Sequence, residues 1–114
     1  MLTRFLIFFC LLLAGCQVLP VAAPPEGPDV EGVVIALLPD QRALLRATFR
    51  AGPYPDTFFV NPGAQVLVRE SSGSLRQGDK NDIRVGDHLR AWLTGIELRS
   101  FPPQYPARVV EVYR

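Results

Sequence analysis

Hydrophobic and polar positions divide the chain into three textures. Residues 5–14 form an almost unbroken apolar run behind a single cation, Arg4. Residues 17–29 carry Pro20, Pro24, Pro25 and Pro28, which exclude a helix and favour extended conformations. From Val30 onward the chain breaks into short β-branched or alternating stretches separated by turn residues. Residues 30–38 are β-branched and apolar and predict a strand, ended by Pro39-Asp40. In residues 43–50, Leu45, Ala47 and Phe49 fall on one face and Arg46, Thr48 and Arg50 on the other, with Leu44 out of pattern. A helix over 43–47 would have little length before Gly52-Pro53, so a strand is the reading. Residues 57–60 and 65–69 predict two more strands, with Val66 and Val68 on one face of the second.

The sharpest local signal in this last texture is Asp82-Ile83-Arg84-Val85-Gly86-Asp87, a turn in which Gly86 can adopt a positive φ. A strand starts at once behind it, with Leu89, Ala91 and Leu93 inward and His88, Arg90, Trp92 and Thr94 outward. An extended path through Ile96-Glu97-Leu98-Arg99, a stiff loop over residues 101–106 and a last strand over 107–113 complete the pattern. No segment supports a long amphipathic helix. Five or six short strands predict an all-β fold, a sandwich or a small barrel, and a barrel has the advantage of removing exposed edges.

The leader has a positive start, about ten apolar residues and small residues at its end, the layout of a secretory signal peptide. It is too short to cross a bilayer, which takes about 20 residues. Its end, Leu13-Ala14-Gly15-Cys16, resembles the lipobox of bacterial lipoproteins at all four positions. That resemblance implies cleavage after Gly15 and a thioether-linked diacylglycerol on Cys16, with acylation of the new amine. Cys16 would then be the first residue of the mature chain. Gln17 occupies the position where an aspartate commonly retains Gram-negative lipoproteins in the inner membrane; its presence points to the outer membrane where the cell has one. Acyl chains contribute about 0.8 kcal/mol per buried methylene, so two or three form an effectively permanent anchor.

This reading gives a signal peptide over 1–15, a lipidated Cys16 and Pro-rich tether over 16–29, and a β-domain over 30–114. At about 3.1 Å per residue the tether would reach roughly 40 Å. Cys10 leaves with the leader and Cys16 is alkylated, so no disulfide is available. The remaining side chains balance, 11 basic against 11 acidic, since Arg4 is lost. A neutral balance argues against the basic face that nucleic acid requires and against a second, electrostatic contact with lipid.

The domain also resembles uncharacterised bacterial lipoproteins with a small OB-like barrel. The likeness rests on Gly32-Val33-Val34, on Ile83-Arg84-Val85-Gly86-Asp87 before a strand, and on residues 101–107 leading into the last strand. It implies a five-stranded barrel and supplies no catalytic residues. The helix frequent between the third and fourth OB strands is not evident, because residues 75–80 are short and polar.

Nucleophilic and metal chemistry lack their residues in the sequence, while a carboxylate pair of the kind that cleaves glycosides stays open. His88 is the only histidine, no serine sits in a nucleophile-elbow motif, and a zinc site needs three or four ligands. Asp79-Lys80-Asn81-Asp82 faintly resembles a calcium loop, but Ile83, Arg84 and Arg90 stand where ligands and glycine belong, so it reads as a polar turn. No enzyme and no cofactor are expected. One constellation suits binding: Trp92 and Arg90, with His88 beside them, would form an outer face able to stack on a glycan, an aromatic ring or a peptide. The alternative is that Trp92 packs under the tether or the 101–106 loop. The expected protein is a lipid-anchored envelope module that binds or assembles with an envelope protein or glycan. The alternatives are a purely structural envelope component and a cell-wall hydrolase. Its oligomeric state is open.

Overall fold

The computed structural model describes residues 21–63 and 65–114. The expected leader, its Gly15 cleavage position and Cys16 lie outside the described residues. Seven strands form one sheet: β1 (Val30–Leu37), β2 (Ala43–Arg50), β3 (Thr57–Asn61), β4 (Gln65–Arg69), β5 (Leu75–Gly78), β6 (His88–Leu93) and β7 (Gln104–Tyr113). β1 pairs antiparallel with β2 and β6, β2 with β3, and β6 with β7; a parallel pairing of β3 with β7 closes the ring. The result is the expected small OB-like barrel, closed by five strands.

The other two strands explain why β7 is ten residues long. Its first part closes the barrel against β3, from Phe59↔Gln104 to Asn61↔Pro106. Its second part accepts β4 in parallel, from Gln65↔Val109 to Arg69↔Tyr113, and β5 pairs with β4 beyond it. The β4–β5 hairpin thus extends the sheet outside the ring, in the place where many OB folds carry a helix. A single 3-10 turn over Lys80–Asp82 follows. A capping box closes its N-terminal end: Asn81 N–H donates to the Asp79 carboxylate and Asp79 N–H donates to the Asp82 carboxylate. Asp79 thus serves a backbone donor, and Asp82 serves one backbone donor and the Arg76 guanidinium.

Alternation places the core as expected along β6: Leu89, Ala91 and Leu93 are buried with Val30, Val34, Leu45, Phe58, Val110 and Val112. The far end of β2 and the start of β7 differ from the sequence expectation. Phe49 was placed with Leu45 and Ala47, yet it is 45% exposed. β1 opposes Glu31 to Phe49 and Gly32 to Ala47, so Thr48 is an extra residue and the face flips beyond it. The last strand begins at Gln104 rather than at residue 107, because Tyr105 and Pro106 are held in register by β3.

Gly86 turns the chain into β6 with φ of 94° and open space where a side chain would stand, so its constraint is conformational rather than steric crowding. Gly86→Val should therefore lower stability by at least about 1 kcal/mol. Equal denaturant midpoints for the two proteins would contradict this.

At the barrel mouth beside the β2–β3 loop, Tyr54, Phe58 and Tyr105 form an aromatic cluster. Tyr105 meets Tyr54 edge-on at 5.0 Å and Phe58 at 5.5 Å, a favourable T-shaped arrangement. The Tyr105 hydroxyl donates to Glu97 Oε1 at 2.7 Å. Burial first, and then this carboxylate, push the Tyr105 phenol up to about 12. The unfolded phenol titrates near pH 10, so the folded state holds the proton longer. The associated stability is complete below the unfolded value and is lost as pH rises through the folded value of about 12. Tyr105→Phe should flatten the alkaline fall of the denaturant midpoint; identical alkaline slopes would contradict the assignment.

Candidate functional site

The outer face of β6 carries the three residues singled out for binding, and the sheet register sets their neighbours. Across β1, β6, β7 and β4 runs the row Glu31, Arg90, Glu111, Leu67. Beside it lie His88, Tyr113 and Arg69 on one side, and Trp92, Val109 and Gln65 on the other.

Of the two readings of Trp92, an exposed stacking face or packing under the tether or the 101–106 loop, the structure shows packing under the tether. Trp92 points away from the barrel interior, as alternation requires, but is only 1% exposed. Leu67 of β4 and Val109 of β7 pack beside it, with Leu75 and Ala23 against them. Its indole N–H donates to Glu26 O at 2.8 Å. The final residues of the expected tether therefore lie on the barrel. Pro28 is buried, Asp29 N–H donates to Ala91 O at 3.0 Å, the Asp29 carboxylate accepts from Leu93 N–H at 2.7 Å, and Glu26 pairs with Arg108. Residues 23–29 act as a strap over the Trp92 end of the face.

Arg90 sits inside a charge-balanced network. Its Nη1 donates to the Tyr113 hydroxyl at 2.8 Å and lies 3.9 Å from Glu111 Oε1. Its Nε is 3.1 Å from Glu31 Oε1 but is not aligned to donate to it, so that contact is an ion pair rather than a hydrogen bond. The guanidinium lies 5.4 Å from the centre of the Trp92 ring. Glu111 is fully buried, and its Oε2 accepts from Arg69 Nε at 3.0 Å. Arg90 stands between the two carboxylates, Glu31 and Glu111, so they do not face each other as an acid–base pair would. His88 is the open corner of the face: its Nε2 is 3.7 Å from Glu31, its ring meets Tyr113, and its side chain is 41% exposed.

The three predicted residues are thus brought together, in three different states: His88 open, Arg90 half-buried and engaged, Trp92 covered. Sequence reasoning missed Glu111 and Arg69, and it named the tether over Trp92 only as one of two possible covers. The available signal was in β4 and β7, where Val66-Leu67-Val68 and Val109-Val110 place apolar residues on both faces, the mark of a strand covered twice. Among the described residues no group of three or more His, Cys, Asp or Glu side chains is placed to hold a metal ion, and no helix is long and apolar enough to cross a membrane. Comparison with protein-family models, curated proteins and solved structures finds no match to this chain.

Proposed function

We propose that this protein is a lipid-anchored envelope lipoprotein whose barrel works, without catalysis, as a binding or assembly module close against the membrane. The observation that supports the position is the strap. Residues 23–29 are engaged with the barrel through Trp92, Leu93 and Ala91, so they do not serve as free spacer. The segment from Cys16 to the first docked residue, Ala23, spans seven residues, a reach of at most about 25 Å instead of the roughly 40 Å of a wholly free tether. The anchor itself rests on the Leu13-Ala14-Gly15-Cys16 motif.

A second reading, a purely structural envelope component, draws support from the same face, whose charges neutralise one another and whose tryptophan is covered. The two readings share the anchor and differ in whether the protein has a defined neighbour. Labelling cells with radioactive palmitate tests the shared part. The wild type should carry label, and Cys16→Ala should lose it and be either uncut or soluble; label retained by Cys16→Ala would refute the anchor.

A further inference from the structure

The loop between β6 and β7 displays apolar side chains that the barrel leaves uncovered. Phe101 is 102% exposed, Ile96 58% and Leu98 44%. This loop has a held stem. Leu98 and Gln104 exchange both backbone hydrogen bonds, at 2.8 and 3.1 Å, and the Gln104 carboxamide oxygen accepts from Arg42 and Asn61. Below them the Tyr105 hydroxyl grips Glu97. The stem therefore projects Phe101 away from the barrel. Clusters of exposed apolar side chains on a supported loop mark interaction surfaces.

The strap says what lies opposite the loop. β6 enters the loop directly after Leu93, whose N–H is bound by Asp29, and Trp92 carries Glu26 and Ala23. Residues 26–29 thus lie at the end of the barrel that carries the loop, and Ala23, the first docked residue, packs against the same Trp92 cluster. We propose that Ile96, Leu98 and Phe101 insert into the interfacial layer of the bilayer that holds the Cys16 lipid, fixing the barrel with this end down. The proposal rests on the anchor reading above. Three apolar side chains would bind a membrane weakly from free solution. A short tether makes the contact intramolecular, at an effective concentration in the millimolar range, so weak insertion is sufficient. Arg99, exposed between Leu98 and Phe101, would lie at the level of the lipid phosphates. The opposite end, with Val85 61% exposed in the turn before β6, would face away from the lipid.

The anchor reading leaves the mature chain without a free thiol, which makes a clean labelling test. Mature protein extracted from membranes is reconstituted into vesicles of phosphatidylethanolamine and phosphatidylglycerol. Phe101→Cys and Val85→Cys variants are labelled with an environment-sensitive nitrobenzoxadiazole dye. Dye at position 101 should shift to the blue and be quenched by nitroxide-bearing lipids; dye at position 85, equally apolar in origin, should keep its aqueous emission. Aqueous emission at both positions overturns the proposal while leaving the anchor intact. Quenching at both overturns the orientation. A blue shift at 101 that grows with protein density in the vesicle assigns the loop to a second copy and also overturns it. Dye taken up by the wild type shows a free Cys16, and the anchor and the insertion then fall together.

Discussion

Trp92→Ala should destabilise the domain by about 3–5 kcal/mol, the usual cost of deleting a large buried aromatic side chain. The indole is as buried as the barrel interior, although it lies on the other side of the sheet. Its removal opens a cavity between Leu67, Val109 and Ala23, deprives Glu26 O of its donor and takes from Arg90 the nearer of its two aromatic neighbours. A domain of this size has only about 5–15 kcal/mol in total, so the loss is a large fraction. The same change should free the strap, and limited proteolysis near Glu26 should accelerate before the barrel itself is cut. Trp92→Phe keeps most of the packing and loses the hydrogen bond, and should fall between the two. A Trp92→Ala protein as stable as wild type would show that the strap and the second layer contribute nothing.

The second large effect concerns Glu111. Its carboxylate is fully buried and depends on Arg69 for its hydrogen-bonded ion pair, with Arg90 as the more distant cation. Arg69→Met should cost about 3 kcal/mol, because it leaves a buried charge short of its partner. The lower end of the usual range is chosen because the Arg69 side chain is 35% exposed and water can replace part of what it supplies. Combining Arg69→Met with Glu111→Leu should recover much of the loss, since an apolar pair removes the uncompensated charge. Chemical denaturation of the three proteins tests this; a double variant weaker than Arg69→Met would mean that Glu111 is held chiefly by Arg90.

These two predictions mark where sequence patterning reaches its limit. Alternation in β6 correctly separates Leu89, Ala91 and Leu93 from Arg90 and Trp92, because a strand's side chains must alternate. It assigns faces and is silent on whether a face is covered. Trp92 is buried because β4, carried by the far half of β7, and the strap both reach over it. β5 leaves no mark in the sequence, since Leu75-Arg76-Gln77-Gly78 has neither alternation nor β-branched residues; its strand is imposed by backbone pairing with β4. Phe49 was misplaced by the bulge at Thr48, which leaves no trace in composition. The Gly86 turn was legible, because a glycine after Ile83-Arg84-Val85 solves a local backbone problem that needs no tertiary partner.

The strap changes how the envelope reading works physically. A barrel on a wholly free tether would sample a wide shell above the bilayer. One whose strap is pinned at Trp92 and Asp29 stays within a shorter reach and presents a defined end. On the proposed anchored reading, that restriction would make position and orientation at the membrane surface the contribution of the fold.

The intact mass of the mature protein, extracted from membranes with detergent, tests the anchored arrangement most directly. The predicted species begins at Cys16 and carries diacylglycerol on its thiol and an acyl chain on its amine. A mature chain that begins elsewhere, or one that begins at Cys16 with an unmodified thiol, would contradict it.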